Sequence, residues 1–311
     1  MGRVVPLAIV NPQSGGSRRA DASLQGALER GLGPVDVVLT QGPGHAIDLA
    51  RRGVEERREL IVAVGGDGTL HEVVNGVLDA GGGAAVGLVG RGTGGDFRRT
   101  LGLENRLDAY VQAVAAGRER TLDVGRVRYR APDGTTQARW FLNVLSVGMG
   151  GLVDRYVART TKVLGGRAAY FLASLRALAR CRRARIRCAA GLGEGARDER
   201  HLDTFMIAVC NGRYFGAGMH VAPMAAPDDG RFEVVSMDAP GKLAFVTFSR
   251  KIYDGSHVTT PGVTHFACDR IAIDLEDDRA RDVFLLDVDG EALGGVPVEV
   301  ELVPRALRFR G

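Results

Sequence analysis

The chain has 311 residues, of which 45% are hydrophobic and 25% are charged, a balance typical of a soluble globular protein with one large or two medium domains. Its formal net charge of +4 is compatible with anionic partners but does not decide among nucleotides, nucleic acid and an acidic membrane surface. We expect no membrane span, because no stretch reaches the roughly 18 consecutive apolar residues that one needs.

The first part of the chain alternates predicted strands and helices. A buried strand, Val5–Val10, runs into the loop Asn11–Gly16, and helical spacing follows over Ala20–Arg30. The strand Val35–Thr40 and two later apolar runs, which end in AVGGDGT and GRGTGGDF, continue the pattern. Such alternation predicts an open α/β domain with a parallel sheet, whose ligands bind at the carboxyl ends of the strands.

From about Thr121 the pattern changes to short alternating strands separated by turns, which predicts an antiparallel β domain. One predicted helix, roughly Leu164–Ala184, interrupts it. We place a nucleotide-binding domain over residues 1–125 and a β-rich substrate domain over residues 126–299. The last strand, Arg305–Arg310, is a candidate to return to the first domain, which residues 300–311 would then complete.

The run Gly65-Gly66-Asp67-Gly68-Thr69 follows a predicted strand. Its glycines let backbone N–H groups approach phosphate oxygens, and a helix predicted to begin near Leu70 adds the positive end of its dipole. A carboxylate repels phosphates unless a cation intervenes, and a Mg²⁺ ion held through waters by Asp67 resolves this conflict. The alternative is a plain strand-to-helix turn in which Asp or Thr caps the helix.

Further candidates follow along the chain. The loop Gly92-Thr93-Gly94-Gly95-Asp96-Phe97 again combines glycines and a threonine with an acidic residue, and two such loops are harder to explain as plain turns than one. Asp123, in TLDVG, is a third acidic candidate or an ordinary aspartate at the start of a strand. The turn Asp289-Gly290-Glu291 follows an apolar strand and by itself indicates only a β-turn.

Seven segments carry a family resemblance: IVNPQSGG, VGGDGTLHEVVNG, GTGGDF, LDVG, FLNVLSVGMGG, CNGRYFGAGMHVAPMAAPDDGRFEVV and VDGEALGGVPVEVELVP. In this order they resemble the diacylglycerol kinase catalytic-domain family, and most of all its soluble bacterial lipid kinases, the YegS-like branch. The resemblance implies an open α/β nucleotide-binding domain like that of phosphofructokinase and NAD kinase, an antiparallel β-sandwich-like domain, and an active site in the cleft between them. It also implies transfer of the γ-phosphoryl group of ATP, with Mg²⁺, to a hydroxyl of diacylglycerol or a related lipid.

The resemblance assigns nucleotide and magnesium contacts to particular residues. The nucleotide contacts that it predicts are Asn11, Thr40, Gly65, Gly66, Asp67, Gly68, Thr69, Gly92 and Thr93. The acidic set predicted to organise catalytic Mg²⁺ through waters is Asp67, Asp96 and Asp123. Asp67 is thereby also predicted to be catalytic.

A general base and a second magnesium site are implied as well. Glu291 matches the residue usually assigned as the general base, with Asp289 beside it as an alternative. A separate structural Mg²⁺ site maps to Ala226, Asp229 and Arg231, the first and last through their backbone carbonyls.

One loop departs from the family pattern. The family's second loop usually reads PLGTGNDF, whereas this chain has GRGTGGDF from Gly90 to Phe97, so that the Pro, Leu and Asn are replaced. The Asn amide is lost, and Arg91 introduces a cation that either meets a phosphate or faces solvent. The departure bears on nucleotide preference and catalytic efficiency more than on the fold.

Two other functions stay open. An NAD kinase-like enzyme would also use GGDGT but would phosphorylate a nucleotide ribose; the segment NGRYFGAGMHVAP and the late DGE favour the lipid kinase. A catalytically weak nucleotide-binding regulatory protein is the second alternative, and the altered loop motivates it.

The predicted helix near residues 164–184 joins an apolar face to a basic end. Such a helix rests on an anionic membrane surface, or it packs on its own domain with the basic end in solvent. The four cysteines show no CxxC spacing, which argues against zinc and disulfides and favours a cytoplasmic setting. We expect a lipid substrate as partner and no nucleic acid, and leave open a homodimer and peripheral contact with the inner membrane surface.

Overall fold

The computed structural model of the chain describes residues 5–14, 20–91, 95–159, 176–177, 179–239, 241, 250–276 and 278–311. It divides into two compact units, one made of Met1–Val124 and Val303–Gly311 and the other of Gly125–Leu302. Gly92, Thr93 and most of the helix predicted near residues 164–184 lie outside the described residues. Of that helix, residues 176–177 and 179–180 are described and are helical.

The first unit contains an open parallel sheet. Its strands are, in spatial order, β4 (Ala85–Gly90), β3 (Leu60–Gly65), β1 (Leu7–Val10) and β2 (Asp36–Leu39). At the outer side of β4, Phe309 and Arg310 at the end of the last strand pair in parallel with Val86 and Gly87. Strands β1, β3 and β4 are almost entirely buried, because a parallel sheet is covered on both faces. The predicted open α/β domain is confirmed.

Helices connect and follow these strands. Their bounds are α1 (Ala20–Leu32), α2 (His45–Glu55), α3 (Asp67–Asp79), α4 (Asp96–Leu101) and α5 (Leu107–Ala115). The structure differs from the sequence prediction at α3, which begins at Asp67 rather than near Leu70. Gly66 is the N-cap in an extended conformation, with φ −95° and ψ −170°. The helix therefore starts within the glycine-rich run itself.

Helices α2 and α3 approach each other closely at Gly76. A Cβ atom at this position would overlap the backbone carbonyl oxygen of Ile47 in α2, so only glycine fits. In the same pair, the carboxylate of Glu72 in α3 accepts a hydrogen bond of 3.0 Å from the backbone N–H of Ala46 in the first turn of α2. The contact thus satisfies a backbone donor that the helix itself leaves without an acceptor.

The second unit is built on antiparallel strands. Their bounds are β5 (Glu119–Arg130), β6 (Thr136–Phe141), β7 (Val144–Gly148), β8 (Ala184–Gly191), β9 (Asp198–Thr204), β10 (Met206–Cys210), β11 (Phe232–Met237), β12 (Val263–Cys268), β13 (Arg270–Leu275), β14 (Leu285–Val288) and β15 (Glu291–Arg310). One path runs β12, β11, β10, β7, β14 and β15, and β13, β8 and β9 extend it from β15. The chain passes between the two units within β5 and β15.

Apolar residues of these strands form one core in the second unit. Phe141 and Phe232 lie at its centre, fully buried, with stacked rings whose centroids are 5.5 Å apart. Helix α6 (Met149–Arg159) follows β7, and two short 3-10 helices cover Ser256–Thr259 and Asp278–Ala280. The predicted antiparallel β-sandwich-like domain is confirmed. Among the described helices of the chain, none combines the length and apolar character needed to cross a membrane.

Removing the Phe309 ring should destabilise the first unit. The ring is fully buried and packs edge to face against Phe97, with centroids 6.3 Å apart. We expect Phe309→Ala to lower the free energy of unfolding, measured in urea by circular dichroism, by about 3–5 kcal/mol. Leu39→Ala in β2, whose side chain is half exposed, should stay within about 0.5 kcal/mol of the wild type. Equal stability of the two variants would contradict the packing role of Phe309.

Candidate active site

The carboxyl ends of the parallel strands bring the predicted loops together. The N–H of Asn11, which follows β1, bonds to the carbonyl of Val64 in β3 at 3.0 Å. The N–H of Arg91, which follows β4, bonds to the carbonyl of Gly65 at 2.9 Å. The N–H of Thr40, which follows β2, bonds to the carbonyl of Val10 in β1 at 2.9 Å. Asn11, Thr40, the GGDGT run and Arg91 therefore occupy one edge of the sheet.

Gly65 and Thr69 form the fixed part of the GGDGT run. Gly65 is the last residue of β3, and a Cβ atom there would overlap the hydroxyl group of Thr69. The Thr69 side chain is buried and accepts a hydrogen bond of 3.3 Å from the amide of Asn11. Glycine at position 65 is thus required by the fold itself.

Gly66 and Gly68 have no such constraint. A Cβ atom at either position would meet no described atom within 4 Å, and neither residue has a positive φ. They lie at the N-terminus of α3, where the first backbone N–H groups lack acceptors within the helix and attract anions. Packing against the described residues therefore does not require glycine at positions 66 and 68, and the backbone of the first turn of α3 is uncovered on this side.

The carboxylate of Asp67 joins the first glycine-rich loop to the second. Its oxygens accept hydrogen bonds from the backbone N–H groups of Gly95, Asp96 and Phe97, at 3.1, 2.8 and 3.3 Å. These are the first donors of α4, whose N-cap residue, Gly95, has no side chain to satisfy them. Asp67 therefore caps a helix other than its own, and the alternative of a self-capped turn does not describe this loop, because the N-cap of α3 is also a glycine.

The other two acidic residues predicted for magnesium are buried and have protein donors. Asp96 Oδ1 lies 2.6 Å from the Arg99 guanidinium one turn further along α4. Asp123 Oδ1 accepts a hydrogen bond of 2.7 Å from the N–H of Arg305. Across the ranges that the structure describes, no group of three or more His, Cys, Asp or Glu side chains could hold a metal ion directly. The water-mediated role of these carboxylates stays a prediction.

A pocket opens beside these loops, within the first unit. Its lining residues are Gly65, Gly66, Asp67, Leu88, Gly90, Arg91, Gly95, Arg98, Asn105 and Tyr110. Gly92 and Thr93, which the sequence analysis also placed here, lie outside the described residues, but Arg91 and Gly95 on either side of them both line the pocket.

Sequence reasoning missed three polar residues of this pocket. They are Arg98, Asn105 and Tyr110, and the hydroxyl of Tyr110 donates a hydrogen bond of 3.2 Å to Asn105 Oδ1. Burial raises the pKa of Tyr110, and the negative charge of Asp67 adds to the rise while Arg98 opposes it. Tyr110 therefore keeps its proton at neutral pH. The available sequence signals were the single aromatic residue of helix α5 and the arginine that directly follows the DF of the second loop.

The predicted Asp289-Gly290-Glu291 turn connects β14 to β15 in the second unit. The carboxylate of Asp289 accepts hydrogen bonds from three successive backbone N–H groups, at 2.8, 3.0 and 2.9 Å, and their residues are Leu142, Asn143 and Val144. Asp289 has a positive φ of 50°, a conformation that aspartate tolerates better than most residues. Its carboxylate thus anchors the connection between β6 and β7.

Glu291 and a further carboxylate, Asp287, differ in exposure. The Glu291 side chain is 33% exposed, and its Oε2 lies 3.6 Å from Nε of Arg139. Asp287 is buried and accepts hydrogen bonds from the N–H of Gly290 at 2.8 Å and from the Ser146 hydroxyl at 3.3 Å. Asp287 escaped sequence reasoning because an aspartate near a turn is common. Of these two carboxylates, Glu291 is the one that solvent reaches.

The side chain of Arg231 lies beside the carboxylate of the predicted structural magnesium site. The carboxylate of Asp229 pairs with the Arg231 side chain at 3.1 Å and with the Arg231 N–H at 3.3 Å. The same guanidinium lies 3.5 Å from Glu233, whose pKa is raised mainly by burial. A Mg²⁺ ion bound by Asp229 and the carbonyls of Ala226 and Arg231 would compete with this arginine, and the site stays a prediction.

Two family models match the chain in succession. The model described as "Diacylglycerol kinase catalytic domain" matches residues 6–127. The model described as "YegS C-terminal NAD kinase beta sandwich-like domain" matches residues 143–310, more than half of the chain. Together the matches reach from the first strand to the last.

Known proteins resemble the chain over most of its length. The diacylglycerol kinase of Mycobacterium tuberculosis (strain CDC 1551 / Oshkosh) is 27% identical over 308 residues, 97% of this chain and 93% of that protein. The diacylglycerol kinase of Bacillus subtilis (strain 168) is 25% identical over 258 residues, 82% of this chain and 78% of that protein. A crystal structure of a diacylglycerol kinase from Bacillus anthracis str. Sterne has a TM-score of 0.71 at 19% identity, and covers 100% of this chain and 97% of its own. At this identity the solved structure shows a shared fold.

Replacing Gly65, which packs against Thr69, and Gly68, which does not pack against a described atom, should affect the free energy of unfolding differently. Gly65→Ala forces a methyl group into the Thr69 hydroxyl, and we expect it to lower the free energy of unfolding by about 1–3 kcal/mol. Gly68→Ala has room and should leave that free energy unchanged or raise it by up to about 1 kcal/mol. If phosphate approaches the first turn of α3, Gly68→Ala should nevertheless bind a non-hydrolysable ATP analogue more weakly in calorimetry. Wild-type affinity in Gly68→Ala would exclude this contact.

Proposed function

The chain belongs to the diacylglycerol kinase catalytic-domain family of lipid kinases, and from that premise we propose that it transfers the γ-phosphoryl group of ATP to a hydroxyl group of a lipid. The observation that carries nucleotide use is the open space beside Gly66 and Gly68 at the N-terminus of α3, where no described atom lies within 4 Å of a Cβ position. The lipid acceptor is supported by the activity named for the relatives, which are diacylglycerol kinases.

The first unit supplies the nucleotide-binding groups of this proposal. Backbone N–H groups in the first turn of α3 meet phosphate oxygens, and the helix dipole favours the negative charge. The charge of Asp67, which would otherwise repel phosphates, is stabilised by the three N–H groups of α4. The loop can therefore hold an aspartate and a phosphate close together.

A magnesium ion belongs to the proposal together with the nucleotide. Mg²⁺ usually keeps several waters and uses one or two carboxylates along with substrate phosphates, so the lack of a three-carboxylate cluster among the described residues is compatible with it. Asp67, Asp96 and Asp123, the acidic set that the sequence predicts, are the residues proposed to hold it through waters. When bound, the ion neutralises negative charge on the phosphates during transfer.

The acceptor hydroxyl needs a carboxylate to take its proton. We assign this role to Glu291, because its side chain is 33% exposed and the distance from its Oε2 to Nε of Arg139, 3.6 Å, is longer than a hydrogen bond. Asp289, the alternative, uses its carboxylate to accept three backbone hydrogen bonds. The assignment leaves Asp289 as the residue that positions the turn carrying Glu291.

A labelling experiment tests the reaction itself. Incubating the protein with γ-³²P-labelled ATP, Mg²⁺ and a total lipid extract should yield a labelled product that is soluble in chloroform, and chelating Mg²⁺ with EDTA should abolish it. NAD offered in a parallel reaction should stay unlabelled. Label in NAD alone would favour the NAD kinase-like alternative, and nucleotide binding without any turnover would favour a regulatory protein.

Glu291→Gln separates the general base from the positioning residue. We expect a kcat about 10²- to 10⁴-fold lower, the usual contribution of a general base, with the free energy of unfolding unchanged. Glu299→Gln, an exposed position on the same strand, is the matched control and should keep wild-type activity.

Asp289→Asn should instead lower the free energy of unfolding by about 1–3 kcal/mol, because the amide places an NH₂ group against backbone donors. If Asp289→Asn were stable but inactive while Glu291→Gln stayed active, Asp289 would be the general base and Glu291 would not.

A further inference from the structure

Two glycines in the wall of the nucleotide pocket are covered by side chains from outside their loop. A Cβ atom at Gly90 would overlap the hydroxyl end of Tyr110. A Cβ atom at Gly95 would lie 2.8 Å from Nε and 2.9 Å from Cδ of Arg98. Both distances are shorter than van der Waals contact, so Arg98 occupies the volume that any larger residue at position 95 would need.

Gly95 is also where this chain lacks the asparagine of the resembled pattern. Glycine at this position removes one neutral hydrogen-bonding group, the side-chain amide, from the loop. The space where that side chain would begin is filled by Cδ and Nε of Arg98, a cationic residue. The two arrangements exclude each other, because an asparagine at position 95 would displace Arg98. The change of loop sequence therefore amounts to a change of charge in the pocket wall.

The Arg98 guanidinium is only partly satisfied by the protein. NH1 donates a hydrogen bond of 3.3 Å to the carbonyl of Leu103. Nε is buried and has no hydrogen-bond partner within the part of the chain that the structure describes. A buried charged donor without an acceptor is costly. A ligand oxygen that bonds to the terminal nitrogens of the guanidinium from the pocket would offset part of that cost.

The charges around the pocket favour an anion. Arg91 and Arg98 both line it, and Asp67 is the one carboxylate among the lining residues. The negative charge of Asp67 faces the N–H groups of α4. A guanidinium presents its donors in a planar fork that matches phosphate oxygens.

We propose that Arg98 binds the polyphosphate of the nucleotide and sets a preference for nucleotides of higher charge. This inference rests on the proposed use of a nucleotide and adds the residue that replaces the lost amide. Because the contribution of a cation grows with the charge of its ligand, the affinity gained from Arg98 should be greatest for the triphosphate and smallest for the monophosphate.

Calorimetry with a non-hydrolysable ATP analogue, ADP and AMP at fixed ionic strength tests the proposal. We expect Arg98→Ala to weaken binding of the ATP analogue about 10- to 100-fold, the range for losing a hydrogen bond to a charged group, and to weaken AMP binding much less. Arg106→Ala removes the same charge from an exposed residue that pairs with Glu104 at 3.2 Å, and should stay within about twofold of the wild type.

The outcomes separate this inference from the function on which it rests. If the wild type binds none of the three nucleotides, the proposed function fails. If the wild type binds the ATP analogue and Arg98→Ala binds it equally well, the role of Arg98 fails and the proposed function stands. An equal loss for all three nucleotides would also overturn the charge preference.

A second pair of variants tests the shared space without depending on Arg98→Ala alone. Gly95→Asn should displace Arg98 and weaken binding of the ATP analogue. Gly95→Asn combined with Arg98→Ala should bind it about as weakly as Gly95→Asn alone, because Arg98 has already been displaced from its place in the single variant. Urea denaturation of each variant shows whether it is folded. Wild-type affinity in a folded Gly95→Asn would contradict the proposal.

Discussion

The site in the first unit depends on one carboxylate, that of Asp67. Its oxygens accept hydrogen bonds from the N–H groups of Gly95, Asp96 and Phe97, which join the start of α3 to the start of α4. A carboxylate at a helix N-terminus is favoured by the hydrogen bonds and by the dipole. The same contact satisfies α4 and offsets a negative charge beside a predicted phosphate site. Asp67 and Gly95, which this contact joins, both line the pocket.

Glycine N-caps explain why such long-range contacts are needed. The N-cap residues of α2, α3 and α4 are Gly44, Gly66 and Gly95, which offer no side chain to the helix. Two of these helices are capped by carboxylates of α3 instead, α2 by Glu72 and α4 by Asp67. Gly66, directly after β3, leaves the backbone uncovered by described atoms, and α3 supplies part of the hydrogen bonding that the N-cap glycines of α2 and α4 cannot provide. The N-termini of α2 and α4 are thus stabilised by carboxylates of α3 and not by their own N-cap residues.

The carboxylates at the β14–β15 turn also differ in what they contact. Asp287 is buried against Gly290 and Ser146, and Asp289 accepts three N–H groups that precede β7. Together they determine the geometry of the turn. Glu291, two residues after Asp289, has a partly exposed carboxylate, and a proton acceptor must lie within reach of the substrate hydroxyl. Two acidic residues thus hold the turn that carries the carboxylate proposed as the general base.

Local pattern determined the class of fold, because strand and helix periods and glycines after apolar runs reflect local backbone geometry and burial. It also marked the GGDGT run and the resemblance to a kinase family. The partner of Asp67, however, lies 28 to 30 positions away, and that of Asp289 lies about 146 away. Arg98 and Tyr110 entered the pocket only because glycines at positions 95 and 90 left them room. Which side chains meet depends on strand order and packing between distant segments, and only the tertiary structure decided that.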